Sequence, residues 1–191
     1  DEQGNVLWRP TKAAPQREEA PPVVVETETV AVIEEPVPVV PPRARPSGVA
    51  AMDWPTLREA VAACRACKLC EGRTNTVFGV GNERAQWMVV GEAPGEQEDL
   101  KGEPFVGKAG QLLDNMLRAL GLTRGEADAR HQVFIANTLK CRPPRNRNPE
   151  PEELAQCEPF LIRQIELVQP KIILAMGRFA VQSLLGTTEA I

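Results

Sequence analysis

The sequence has no surplus of positive charge. Lys and Arg number 22 against 26 Asp and Glu, a net charge of −4. Overall basicity is therefore excluded as a route to nucleic acid, and any such binding requires a local patch. No apolar run approaches the ~20 residues that a bilayer span needs, so no membrane partner is expected. No charged segment followed by an apolar stretch opens the chain, so no secretory signal is read and the expected location is cytoplasmic. The cysteines number five. An odd count without an export signal argues against a disulfide framework and for metal or redox use. Histidine occurs once, at His131, ahead of an apolar run and among polar neighbours, the setting of a surface residue. The first residue is Asp1 rather than Met, and the true start is expected upstream.

What is present divides near residue 50. Residues 1–50 hold 9 of the 18 prolines and 8 acidic against 5 basic residues. Pairs such as Pro21-Pro22 and Pro41-Pro42 block regular helix and ladder pairing. Residues 1–51 read as a disordered, Pro-rich acidic tail, although residues 23–33 are rich in β-branched side chains and could pair as a strand with a partner. Residues 52–191 balance 17 basic against 18 acidic residues, in a length sufficient for one sizeable core.

Three short apolar runs stand in this second part, at residues 87–90, 133–136 and 172–175. Continuous rather than alternating apolarity predicts strands buried on both faces. Each run is followed by a loop and a helical pattern. Residues 108–120 carry Leu112, Leu113, Met116, Leu117 and Leu120 on one face, with Gly121 as C-terminal cap. Residues 151–168 carry Leu154, Cys157, Leu161, Ile165 and Val168, and residues 178–185 follow the third run. Residues 54–68 read as a preceding helix. This order predicts an α/β fold, a parallel sheet with right-handed crossovers. Ligands bind such sheets beyond the carboxyl ends of the strands, here at residues 91–95, 137–141 and 177.

Cys64 and Cys67 form a C-x-x-C, and Cys141 and Cys157 lie downstream at loop and helix positions. Four thiolates can hold a [4Fe–4S] cluster or a structural zinc. Spacing does not choose between them. Cys70 makes a second C-x-x-C with Cys67, which leaves the ligand choice open as well. Around Cys141, Lys140, Arg142, Arg145 and Arg147 form a basic cluster with no acid among residues 138–149. Stiffened by Pro143, Pro144 and Pro149, it is a candidate DNA-phosphate grip.

These residues resemble a known family. Cys64-x-x-Cys67-x-Leu69-x-Glu71-Gly72-Arg73-Thr74 is followed by Val90-Gly91-Glu92-Ala93-Pro94-Gly95-Glu96-x-Glu98-Asp99. Next come Gly102-x-Pro104-Phe105-Val106-Gly107-x-Ala109-Gly110-Gln111-Leu112-Leu113, then Asn137-x-x-Lys140-Cys141-Arg142-Pro143-Pro144-x-Asn146-Arg147-x-Pro149 and Glu153-x-x-x-Cys157. In order and content the series is similar to the type 4, iron–sulfur uracil-DNA glycosylases, over roughly residues 57–190. The resemblance implies a three-layer α/β/α fold and a hydrolase of base excision repair. Such an enzyme flips uracil out of single- or double-stranded DNA, cuts its N-glycosidic bond and leaves an abasic site. It implies one [4Fe–4S] cluster on Cys64, Cys67, Cys141 and Cys157, with Cys70 as a spare. It implies catalytic roles for Glu92 and Asn137, and a uracil site of Glu92, Ala93, Pro94, Glu98, Phe105 and Asn137. Phe105 would stack on the base and Asn137 would read it. A complete member is expected to be a monomer.

Two departures accompany the resemblance. The best-known uracil glycosylases place a water-orienting aspartate where Ala93 stands, although a small residue is usual in type 4. Members also continue into a further strand and a loop with a histidine near uracil. This sequence reaches Ile191 first, so the domain is expected to be C-terminally incomplete. The rival reading is an iron–sulfur DNA-binding module, such as a polymerase-associated domain without glycosylase activity. A zinc-stabilised nucleotide-binding fold is a third. Retention of both Phe105 and Asn137 argues for the enzyme. A related subfamily traps uracil-DNA through a histidine in an inserted basic loop, and no histidine lies between Asn137 and Pro149.

Overall fold

The computed structural model describes residues 48–188. The tail expected over residues 1–51 falls almost wholly outside them. Its last residues are described, and they belong to the globular part: Val49–Ala51 form a 3₁₀ turn whose Val49 is buried in the core. An apolar side chain beside the helix at Pro151–Val168 decides this, not the proline content that set the expected boundary.

The helix α1 (Trp54–Ala63) starts where Asp53 accepts the Thr56 N–H at 3.0 Å, with a proline in its first turn, as helix starts favour. It ends five residues before the expected position. Cys64 is extended, and Arg73 Nη2 takes the Ala62 carbonyl at 2.9 Å. The C-x-x-C thus lies on a turn, and the short α2 (Leu69–Gly72) follows. The strands β1 (Val80–Gly81), β2 (Trp87–Gly91), β3 (Val133–Asn137) and β4 (Ile172–Ala175) form one sheet in the order β1-β3-β2-β4. The β2–β3 and β2–β4 pairs are parallel, and β1 runs antiparallel to β3. The parallel sheet is as expected. The antiparallel edge was not, because two residues ending in glycine carry no periodicity.

Period-2 alternation sorts the sheet into two faces. Met88, Val90, Phe134 and Ala136 pack with Leu57 and Val61 of α1, Phe160, Leu161 and Val168 of α5 (Pro151–Val168) and Ala180 of α6 (Arg178–Leu185). Val89, Val133 and Ile135 pack on the other face with Leu113 and Leu117 of α4 (Lys108–Ala119). The result is three layers, α/β/α. Each fully buried side chain of this kind contributes roughly 1.5–3 kcal/mol. The crossover from β2 to β3 passes through α4 on one face, and the one from β3 to β4 passes through α5 on the other. The chain therefore leaves β2 and β3 for opposite faces, which by the general rule for such sheets sets the binding crevice beyond their carboxyl ends.

Two expectations fail. β4 is not buried on both faces: Ile172, Ile173 and Leu174 are 44%, 37% and 42% exposed. Among the described residues β4 pairs with β2 alone, which leaves its other edge unpaired there. In α4 the five expected core residues divide. Leu113 and Leu117 are buried, and Leu112, Met116 and Leu120 face solvent, because the sheet covers a narrower stripe than the apolar pattern spans. Among the described residues, no helix is long and apolar enough to cross a membrane.

Candidate functional site

The crevice between β2 and β3 is framed by two loops sewn together through their backbones. Thr138 N donates to Gly91 O at 2.9 Å and Leu139 N to Glu92 O at 3.1 Å. The Thr138 hydroxyl also donates to the Glu92 carbonyl. Gly91 and Asn137 are paired in register at the strand ends. Asn137 is 2% exposed, and its Oδ1 is a buried acceptor without a partner among the described residues. Unpartnered buried acceptors are costly, and each invites an explanation. Phe105 stands beside it. A Cβ on Gly91 would meet Phe105 Cζ at 2.6 Å and overlap Asn137 Oδ1, so all three share one small space.

Phe105 sits there through two unusual features. Its φ is +54°, a left-handed conformation that costs energy for a bulky residue. Gly110, in the first turn of α4, lies directly under the Phe105 carbonyl, where a Cβ would overlap it. Glu98, on α3 (Glu96–Lys101), ties this loop to the one after β2. Its Oε2 accepts from Gly95 N at 3.1 Å, and its Oε1 accepts from Val106 N at 2.9 Å and Gly107 N at 3.1 Å. Desolvation pushes the Glu98 carboxyl up, but the amides of Gly107, Val106 and Gly95 outweigh it and hold it below its usual value. The carboxylate that the sequence placed at the base is thus engaged by three backbone donors and acts as a latch between loops.

That latch has a pH consequence. A carboxyl lowered in the folded state contributes stability above its unfolded value, about 4.3, and the contribution disappears as pH falls through the lowered folded value. Glu98→Gln is therefore expected to melt below the wild type at pH 7, and the gap is expected to close below about pH 4. Melting temperatures of both proteins from pH 7 to 3 check this. A gap independent of pH would contradict the latch.

Glu92 leaves the end of β2 toward β4, on the side away from β3: a Cβ on Gly177 would stand 3.7 Å from its Oε2. Burial raises the Glu92 carboxyl, and Arg178, at the start of α6, opposes the rise. Pro94 is buried. Ala93 packs against the apolar cluster of Leu69, Leu139, Cys141 and Cys157.

All five cysteines line one cavity, together with Arg73, Lys140 and Gln156. Cys141 and Cys157 are buried beside Leu69 and Leu139, and Cys67 packs against them. Arg73 Nη1 donates to Cys141 Sγ at 3.1 Å, and the Lys140 N–H donates to Cys157 Sγ at 3.4 Å. Burial raises the Cys67 and Cys141 thiols and pushes Cys157 up to about 12. Thiols in such a setting ionise when a metal takes them. Among the described residues, no three Cys, His, Asp or Glu side chains converge on one ion. A polynuclear cluster makes no such demand, because each thiolate binds a different metal atom. A donor set of thiols alone suits zinc or iron–sulfur and not magnesium or calcium. The sequence-derived set of Cys64, Cys67, Cys141 and Cys157 is brought together, and Cys70 lines the same cavity.

The basic cluster does not survive as one surface. Lys140 is 1% exposed, with Nζ donating to Asn137 O at 2.8 Å and Gln164 Oε1 at 2.7 Å. It cannot reach a phosphate. Burial pulls its ammonium down to about 8, against the opposing pull of Cys157 and Cys141. Arg147 makes a two-pronged pair with Glu153 at 2.9 and 2.6 Å and a contact with Glu150 at 3.1 Å, which fastens the loop to the start of α5. Arg142 holds Asn146 Oδ1 at 2.7 Å and lies 3.6 Å from Glu96. Arg145 is exposed at φ +55° and makes no ion pair among the described residues. Of the four predicted phosphate contacts, Arg145 is free and Arg142 is half-committed. His131 is on the surface as expected, with Nδ1 2.9 Å from Asp128.

Sequence reasoning assigned no role to Gly110 or Arg73, and placed Gly91 and Thr138 in the site loops without the packing and bonds they make there. Arg73 was visible inside the cysteine motif, but nothing in the spacing shows that it returns to Cys141.

The model of the uracil DNA glycosylase superfamily matches residues 78–190. The type-4 uracil-DNA glycosylase of Archaeoglobus fulgidus is 53% identical over 122 residues, which is 64% of this chain and 58% of that protein. That of Sulfurisphaera tokodaii is 52% identical over 64% of this chain and 53% of its own length. That of Pyrobaculum aerophilum is 46% identical over 70% and 65%. The chain thus spans between half and two thirds of the length of these curated relatives.

Proposed function

The chain belongs to the uracil DNA glycosylase superfamily, and on that premise we propose that it takes part in DNA repair by excising uracil from single- or double-stranded DNA, hydrolysing the N-glycosidic bond and leaving an abasic site. The observation that carries this reading is the unpartnered Asn137 Oδ1, buried against the Phe105 ring at the crevice between β2 and β3. A base inside a duplex is out of reach, so it must be extruded into the crevice. Phe105 offers its flat face, with stacking worth roughly 1–3 kcal/mol. The Asn137 amide accepts from uracil N3–H and donates to O4. Cytosine presents the opposite pattern there and leaves both amide atoms unmatched, which is how such sites discriminate.

Uracil departs as an anion while the sugar becomes positive. Backbone N–H groups aimed at uracil O2 lower that barrier. In the 91–95 loop Pro94 has no N–H, and Gly95 gives its own to Glu98, which leaves the amides at the start of the loop. Glu92, half-buried and facing Arg178, stands where a carboxylate can orient water or balance the sugar's charge. Arg145, with Arg142, holds the DNA backbone. Cys64, Cys67, Cys141 and Cys157 would hold one [4Fe–4S] cluster, and its contribution here is to brace the 138–149 loop against α1. Base excision demands no redox step. A complete protein acts as a monomer.

The experiment is a glycosylase assay of the full-length protein on single- and double-stranded uracil DNA, with iron and sulfide analysis of the same anaerobic preparation. Abasic product together with four irons per chain is expected. No product, or stoichiometric zinc without iron, would overturn the corresponding half of the reading.

A further inference from the structure

Lys140 is the one buried ammonium of the described domain, and uracil excision as set out above makes no use of it. It has no carboxylate partner: Asn137 O and Gln164 Oε1, its two acceptors, are both neutral. Gln164 is itself fully buried and passes its own Nε2–H to Phe78 O at 2.9 Å. The main chain of Lys140 is held as firmly. Its N–H is on Cys157 Sγ at 3.4 Å, and its carbonyl accepts from Val77 N at 2.8 Å. Buried charges persist where an opposite charge is near. The thiols of Cys157 and the adjacent Cys141 line the same cavity as Lys140, and as thiolates they would supply that opposite charge. One residue therefore touches a cysteine of the cavity with its backbone N–H, and the peptide of the uracil-reading asparagine with its ammonium.

We propose that Lys140 is a positioning residue that balances the charge of the cysteine thiolates in their metal-bound state and fixes the Asn137 peptide, so that filling of the cysteine cavity is felt at the base-reading amide. This rests on the proposed uracil reading. The Nζ bond to Asn137 O sets the peptide plane at the end of β3, and with it the aim of the Asn137 side chain into the crevice. The sequence counted Lys140 among the DNA contacts, and the fold turns it inward to link two sites.

The test uses the full-length, metal-loaded protein and two variants. Lys140→Met removes the charge at nearly the same volume. Gln164→Glu keeps Lys140 and its bond to Asn137 but sets a carboxylate beside the ammonium. Redox titration of the bound cluster is expected to give a lower reduction potential in both, because positive charge near the thiolates is removed or offset. In Lys140→Met, kcat for uracil release is expected to fall about 10- to 100-fold, the usual range for partners of metal ligands, with KM for DNA unchanged. Gln164→Glu is expected to stay close to the wild-type kcat. An unshifted potential in both variants, or a Lys140→Met kcat within about twofold of wild type, would overturn the proposal. Should Lys140→Met fail to fold, the potential of Gln164→Glu still decides the charge-balancing part. Asn137→Ala, run alongside, reads the premise separately: wild-type excision by that variant would remove the uracil reading itself.

Discussion

Replacing Asn137 by alanine is expected to cut the single-turnover rate on saturating uracil DNA by about 10²–10³-fold, the typical worth of one donor that meets charge developing in a transition state. The amide meets uracil O4 as the base gains negative charge, so its contribution grows along the reaction and appears in kcat. Arg145→Ala is expected to behave differently. Arg145 is exposed and unpaired at the tip of the 138–149 loop, far from needing any base to be present. Its loss should weaken binding to uracil and thymine DNA alike and lower the salt slope by about one phosphate contact. Lys140, although its neighbour in the basic cluster, should show no such salt effect, since it is buried. Rates at saturating enzyme, together with Kd against salt concentration, separate the two behaviours. Equal losses of rate for Asn137→Ala and Arg145→Ala would remove the distinction between reading the base and holding the backbone.

The contrast between Arg145 and Lys140 also marks where the sequence stops being legible. The three apolar runs and the helices behind them lie where periodicity puts them, because a buried parallel strand and an amphipathic crossover helix leave long, redundant patterns. Asn137 and the loop after β2 were legible for a similar reason: strand ends are fixed once strands are known, and sites gather there. Phe105, between α3 and α4, was marked by the family resemblance alone. The two-residue β1 and the six-residue α3 left no pattern long enough to count. Charge was misread where adjacency in sequence was taken for adjacency in space. Lys140, Arg142, Arg145 and Arg147 form one basic patch on paper. Folding turns the first toward Gln164, pairs the last with Glu153 and leaves Arg145 outside. Glu98 was expected at the uracil site from the resemblance, and its bonds to the amides of residues 106–107, which return from beyond α3, leave no trace in the spacing. β4 reads as doubly buried because its composition is that of an inner strand, whereas its neighbours in the described residues are β2 alone and α6.

Gly91→Ala is expected to lose as much activity as Asn137→Ala, about 10²–10³-fold, although alanine carries no chemistry of its own. A methyl at position 91 would stand 2.6 Å from Phe105 Cζ and 2.8 Å from Cε2, and would overlap Asn137 Oδ1. Those are the two groups that the proposed reading sets on the base, Phe105 at its face and Asn137 at its edge. Neither can yield cheaply. Phe105 is held at a positive φ by a loop latched through Glu98, and its carbonyl rests on Gly110. Asn137 is the last residue of a fully buried strand, and Lys140 holds its peptide. The added methyl must push one of them out of place, at about 1–3 kcal/mol for overpacking of this kind, so a modest fall in melting temperature accompanies the loss of rate. Gly72→Ala is the matched control, because a Cβ there has nothing within 4 Å, and it should excise uracil at the wild-type rate. Adding back space by Phe105→Leu in the Gly91→Ala background should recover the melting temperature but not the rate, since the flat face is then gone. A Gly91→Ala protein with a wild-type single-turnover rate would mean that the base binds elsewhere than between Phe105 and Asn137, and that the unpartnered amide oxygen has another purpose.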